Sequence, residues 1–214
     1  MFALVSMNDA KYKPLADLTW VSNKIPYAKR HNYATHCMTD GFKGNIPIGF
    51  EKLFYMLDLL NEHPEYEWIW WTGCDSMITN WTIRIEDKIM DDCDLIMATD
   101  YNEINNDSFL MRNCEWSRNY LQFLIDSIPK YTNHYFYEQQ TMIDSYFDHR
   151  DHFKLVPQRY LNAYKNDMYP HQGSYDCLGT DGTWQHGDWL VHWPGTTLDA
   201  RLQLAKMFAS KVVK

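Results

Sequence analysis

Glu67-Trp68-Ile69-Trp70-Trp71-Thr72-Gly73-Cys74-Asp75-Ser76-Met77-Ile78-Thr79-Asn80 is the stretch on which the rest of the chain turns. From Trp68 to Trp71 four large apolar residues follow one another without alternation. That is the pattern of a strand buried on both faces, since a half-exposed strand alternates. The run stops at a small polar turn holding one carboxylate, Asp75. In an open α/β sheet, ligands sit just beyond the carboxyl ends of the strands. A carboxylate there is placed to hold a metal or a phosphate-bearing substrate. Asp also caps turns with no further role, and the local sequence leaves both readings open.

Working outward, Phe2 to Met7 reads as a short buried strand. A helix is expected from Pro14, suited to a first helical position, to about Ile25, with Pro26 ending it. Tyr33 to Thr39 reads as a second strand, and Phe50, Leu53, Phe54, Leu57 and Leu60 give an amphipathic helix before His63-Pro64. This βαβαβ order implies a parallel sheet with right-handed crossovers in the first half. Asp94–Thr99 and Ser108–Arg112 read as strands separated by a polar turn at Asn105-Asn106-Asp107. Helices are expected from Glu115 to about Ile128, from Glu138 to about Phe147, and from Leu198 to Lys214. Phe153–Pro157 and Trp189–Trp193 are the last strands, and residues 165–188 between them form a long, functional or mobile loop.

With 214 residues, 45% hydrophobic and 22% charged, the chain fits a single domain, 1–214, around one sizeable core. Nine Trp and fifteen Tyr either fill that core or line a pocket for sugars or bases, on which flat rings stack. The net charge of −8 argues against a nucleic-acid partner and requires a metal or a local basic cluster wherever an anion binds. Five widely spaced cysteines with no CxxC pair argue against structural zinc and fit a reducing compartment. The first residues lack a basic region and become polar too early for a signal peptide, and no apolar run is long enough to span a membrane. A cytoplasmic location is the expectation.

Polar clusters fall at four strand ends: Ser6 to Tyr12, Gly73 to Ser76, Asn105 to Asp107, and His186 to Gly195. Asp75 and His192 make an oxygen-plus-nitrogen pair suited to manganese. Cys74 is discounted as a ligand because neighbouring strand residues point to opposite faces. A histidine in an apolar strand is more often a packed core residue than a ligand.

Pro64-Glu65-Tyr66-Glu67-Trp68-Ile69-Trp70-Trp71 with Cys74-Asp75-Ser76 resembles a segment of a retaining glycosyltransferase family that includes fungal galactosyl- and mannosyltransferases and plant xyloglucan xylosyltransferases. Ser108-Phe109-Leu110-Met111-Arg112-Asn113-Cys114-Glu115-Trp116-Ser117, Val156–Tyr164 and Gly187-Asp188-Trp189-Leu190-Val191-His192-Trp193-Pro194-Gly195 resemble further segments of it, in the same order. The opening, Val5 to Tyr12, is similar to the nucleotide-binding start of glycogenin-like enzymes. The compact chain is also similar to chlorella-virus capsid-glycan glycosyltransferase domains.

The resemblance implies a GT-A (Rossmann-like) α/β fold, with a mixed, mostly parallel central sheet flanked by helices. It implies a donor sugar carried on UDP, with GDP second, and a manganese or magnesium ion. Asp75 matches the last Asp of the family's DxD and His192 its metal-binding histidine. Ser6, Asn8 and Asp9 would lie near the nucleoside, Tyr12 on the base, Lys52 at a phosphate, and Gly195 in the donor site. Glu138-Gln139 matches a pair near the reacting sugar. The acceptor would be a glycan or glycoprotein, and the setting capsid glycosylation in host cytoplasm if the protein is viral.

Two positions depart from the pattern. The first Asp of DxD is Gly73 here, and the glycine of a "tGS" segment is Asp107, a carboxylate that enters the reacting-sugar pocket as a further catalytic candidate. Retention can proceed through a covalent sugar intermediate or through attack from the leaving-group side, and the sequence does not choose between them. A sugar-binding module without catalysis and a nucleotide-sugar hydrolase or pyrophosphorylase are the competing readings, the last disfavoured by the missing Gly-rich phosphate loop.

Overall fold

The structure, a computed structural model, describes residues 1–165 and 175–214. The chain opens with β1 (Phe2–Met7), α1 (Lys13–Ala16), a π-helical stretch at Asp17–Lys24 and α2 (Ile25–His31). Next come β2 (Ala34–Met38), α3 (Glu51–Glu62), β3 (Trp68–Thr72) and β4 (Ser76–Ile78). The second half runs β5 (Leu95–Asp100), β6 (Glu103–Arg112), α4 (Glu115–Asp126), α5 (Ile128–Tyr131), α6 (Tyr137–His149) and β7 (Phe153–Val156). It closes with α7 (Gln158–Leu161), β8 (Ala163–Tyr164), β9 (Leu190–His192) and α8 (Leu198–Ala209).

Two sheets result, ordered β2-β1-β3-β6-β5-β7 and β4-β9-β8. In the large sheet β1 pairs in parallel with β2 and β3, β5 in parallel with β7, and β6 runs antiparallel to both its neighbours. Every residue of β3 is buried. The reason is its central place with an apolar layer on each face. Ile69 and Trp71 pack with Phe50, Leu53 and Met56 of the α3 side and with Leu121 of α4. Trp68 and Trp70 pack instead with Trp20, Tyr27, Ile78 and Trp189. A third apolar cluster, Leu15, Met77, Val191, Trp193, Ala205 and Phe208, seats α1 and α8 on the small sheet.

Pro26 does not end the first helix. The π-helical stretch widens the turn before it, so that the Ile25 N–H reaches back to Trp20, and the chain re-enters α-helix with Pro26 in the first turn of α2, where no N–H is needed. Asn105-Asn106-Asp107 is not a turn but lies within β6, because each of these side chains has a buried partner or task. The last helix stops at Ala209, after which Val213 bridges to Asn80. Residues 166–174 of the expected 165–188 loop lie outside the described residues. Among the described residues no helix is long and apolar enough to cross a membrane.

Candidate active site

Beyond the carboxyl end of β3 the chain turns through Gly73, Cys74 and Asp75 into β4. The backbone of this turn is gripped from behind by the π-helical stretch. Thr19 Oγ1 donates to Cys74 O at 2.6 Å, and Asn23 makes two bonds with Ile78. Lys24, fully buried, donates from Nζ to Gly73 O at 2.6 Å and to Ser76 O at 2.8 Å. A π turn has i→i+5 hydrogen bonds, which brings residues 19, 23 and 24 onto one face; such turns are common beside functional sites. Burial lowers the Lys24 ammonium to about 8, partly offset by the nearby Asp107 and Asp75 carboxylates.

Pairing of β4 with β9 sets Ser76 opposite His192, and the Trp193 N–H donates to Asp75 O at 3.0 Å. His192 is 3% exposed. Its Nε2 lies 3.5 Å from Asp75 Oδ2 and 3.4 Å from Asp107 Oδ2. Asp75, Asp107 and His192 each offer one ligand atom within 4.8 Å of the others. Their supports differ: the β3–β4 turn, β6 and β9. Asp107 is held by its own N–H, which donates to Asn105 Oδ1 at 2.9 Å; that oxygen also accepts from Asn162 Nδ2 at 2.7 Å. Asn105 Nδ2 in turn donates to Asp100 and Tyr164.

Burial would raise the Asp75 carboxyl, but His192 and Arg201 outweigh it and hold it well below the usual carboxylate range. Burial and the Asp75 charge push Asp107 up, against the pull of His192, Lys52 and Lys24. For His192 burial acts downward, yet the Asp107 and Asp75 carboxylates lift it above its ordinary value. The two carboxylates therefore favour a positive charge between them.

A divalent cation fits that demand. Asp107 Oδ2 and His192 Nδ1 are buried without a hydrogen-bond partner among the described residues. Two hard carboxylate oxygens with one imidazole suit manganese or magnesium better than zinc. Cys74 stands apart, its thiol pushed up by burial, and belongs to the apolar cluster under the small sheet.

A family profile, described as the galactosyl transferase GMA12/MNN10 family, matches residues 3–95 and 90–201. The chain belongs to that family. An α-1,2-galactosyltransferase of Schizosaccharomyces pombe, itself uncharacterised, is 26% identical over 220 residues, covering 83% of this chain and 55% of that protein. A probable α-1,6-mannosyltransferase of Saccharomyces cerevisiae is 25% identical over 183 residues, covering 67% and 47%. The chain thus spans about half the length of these curated relatives. Among solved structures, a glycosyltransferase involved in glycosylating the major capsid of PBCV-1 superposes with a TM-score of 0.79 at 15% identity, covering 96% of this chain and 98% of that one. The galactosyltransferase LgtC, solved with donor and acceptor sugar analogues, gives 0.61 at 13% identity, covering 98% and 94%. These likenesses, with the mostly parallel sheet, make the fold GT-A.

Within this GMA12/MNN10-family frame the expected site residues separate into three groups. Asp75 and His192 meet, and Asp107 joins them. Tyr12 reaches the same place through Arg201, whose Nη1 donates to the Tyr12 hydroxyl at 3.2 Å while Nη2 lies 2.9 Å from Asp75. Gly195 follows β9 with φ of 65°, a left-handed conformation that glycine adopts without strain. Lys52 and Glu138 form a second centre: Nζ lies 2.8 Å from Oε1, and Asn106 Nδ2 donates to the same oxygen at 3.1 Å. Lys52 is not a solvated surface lysine; it is 5% exposed. Gln139 sits beside Glu138 at the start of α6, half-buried.

Ser6, Asn8 and Asp9 lie at the end of β1. The Ser6 hydroxyl is buried without a hydrogen-bond partner among the described residues, Asn8 Oδ1 accepts from Cys37, and Asp9 Oδ1 accepts from the Tyr12 N–H. Arg201, Lys24, Thr19 and Asn23 were not singled out by sequence, because helix periodicity marks Arg201 only as one more polar position and hides the π turn.

Proposed function

We propose that the protein is a divalent-cation-dependent glycosyltransferase that moves a hexose or 6-deoxyhexose from a nucleoside diphosphate sugar to a glycan or glycoprotein acceptor, with retention. UDP is the preferred carrier and GDP the second. The observation that carries this reading is the convergence of Asp75, Asp107 and His192 from three separate elements at the end of β3, in a chain of the GMA12/MNN10 family.

Those three residues would hold manganese or magnesium, which when bound supplies positive charge against the diphosphate leaving group. Arg201 adds a fixed guanidinium beside Asp75, the geometry that recognises phosphate oxygens. Tyr12, half-buried and tied to Arg201, offers its ring to the base. Ser6, Asn8, Asp9 and Gly195 complete the donor site in this reading. Glu138, paired with Lys52 and hydrogen-bonded by Asn106, stabilises the positive charge that develops on the sugar, with Gln139 orienting it. Lys52, tied to Glu138, is the further basic group that a donor phosphate would meet in this reading.

A capsid-glycan setting belongs to this proposal by analogy with the PBCV-1 enzyme, whose fold the chain shares. The test is calorimetric titration of UDP and GDP with manganese and again with EDTA, followed by turnover of UDP-sugars. Binding of one nucleotide only with manganese supports the transferase. Sugar binding that needs neither nucleotide nor metal would replace it with a lectin-like module.

A further inference from the structure

Gly73 is a glycine for the sake of space. Its φ is not positive, so its backbone conformation is open to any residue. A Cβ built on it would nonetheless lie 2.0 Å from Asp107 Oδ1, 2.7 Å from Cγ and 2.8 Å from Oδ2, within the Asp107 carboxylate. Neither backbone can retreat. Gly73 O is held by Lys24 at 2.6 Å, and the Gly73 N–H donates to Asp107 O at 3.0 Å. One residue along, the antiparallel pairing of Thr72 with Ser108 locks the two strands in register. The space beside the β3 end thus has room for one carboxylate, which comes across from β6.

We infer that positions 73 and 107 are two alternative supports for a single cation-binding carboxylate, and that in this chain Asp107 supplies it only because Gly73 leaves the space open. The inference rests on the cation-site reading above. Its corollary is reciprocal. A side chain at 73 evicts Asp107 from beside His192 although no ligand has been changed, and removing the Asp107 side chain makes 73 available to bear the carboxylate.

The test is calorimetric titration of manganese alone, with thermal unfolding of each metal-free protein, on the full chain. Gly73→Ala and Asp107→Gly should each weaken manganese binding by about 10- to 100-fold, the usual effect of disturbing a ligand or its support. The double variant Gly73→Asp/Asp107→Gly should bind at least about tenfold more tightly than Asp107→Gly alone, recovering much of that loss. Gly73→Ala should lower the unfolding temperature in the parent but not in the Asp107→Gly background, where the space is free; this arm needs no metal. Equal destabilisation by Gly73→Ala in both backgrounds overturns the shared-space inference, as does a folded double variant that binds no better than Asp107→Gly. Parental protein that binds no manganese refutes the cation-site reading itself and takes the ligand assignment with it.

Discussion

Arg201 donates from Nη2 to Asp75 Oδ2 at 2.9 Å, the same oxygen that faces His192. A cation entering the cluster draws on that oxygen too. Replacing Arg201 with Ala should therefore leave manganese binding equal or a few-fold tighter while weakening nucleotide binding. A charge-assisted hydrogen bond to a phosphate is worth about 1.5–3 kcal/mol, so nucleotide affinity should drop at least about tenfold. Titrations of metal and of nucleotide on one variant separate the two effects. A parallel loss of both would make Arg201 a purely structural clamp.

Asp75→Asn keeps the shape of the side chain and an oxygen for Arg201, but removes the negative charge. Manganese-dependent nucleotide binding should disappear while the circular dichroism spectrum stays that of the folded parent, with the unfolding temperature lowered by the lost pairing with Arg201 and His192. Unchanged nucleotide affinity in this variant would remove Asp75 from the cation site.

The buried Lys24 carries a stability signature. Its pKa falls from 10.5 in the unfolded chain to about 8 in the folded one, so between those values the unfolded chain holds a proton that the native chain has released. Stability from this group therefore rises with pH across that window and is absent below it. At about 1.4 kcal/mol per unit the full swing is roughly 3 kcal/mol. The difference in urea midpoint between the parent and Lys24→Met should shift in the parent's favour as pH climbs from about 8 to 10.5, with the Tyr and Cys titrations common to both cancelling. A flat difference would mean that Lys24 stays charged where it is.

Lys52 and Glu138 are both buried and joined at 2.8 Å. Removing one partner of such a pair costs about 3–5 kcal/mol, whereas replacing both with apolar groups is far milder. Lys52→Met should lower the unfolding temperature sharply, and Lys52→Met/Glu138→Leu should regain much of it. Glu138→Gln still accepts from Lys52 and Asn106 but leaves the buried Lys52 charge without a counter-charge, so it should fold with a lowered unfolding temperature and turn over about 10²-fold more slowly. Normal turnover by a folded Glu138→Gln would confine Glu138 to a structural role.

Much of this molecule can be read from its residues. The unbroken run Trp68–Trp71 gives away a central strand because only such a strand has apolar layers on both faces. That Asp75 and His192 lie near one another follows from their places just beyond β3 and at the end of β9, and the family resemblance names both. What escapes is whatever depends on tertiary neighbours. Asn105-Asn106-Asp107 has turn composition, and it forms strand only because Asp100, Tyr164, Asn162 and Glu138 satisfy its amides. Pro26 signals a helix end unless the preceding turn is widened. Arg201 reaches the site through the packing of α8, which no local pattern encodes. Gly73 looks like an ordinary turn glycine until the Asp107 side chain opposite it is seen.

Trp70 of the large sheet and Trp189, beside β9 of the small one, stack with ring centroids 3.9 Å apart and planes 22° from parallel. Two indoles that close share their electronic excitations, which gives the protein an intrinsic optical gauge of how its sheets are joined. The near-ultraviolet dichroism of this pair should be lost in any unfolding step that separates the two sheets, and its loss ahead of the backbone signal would show that they part before the large sheet melts.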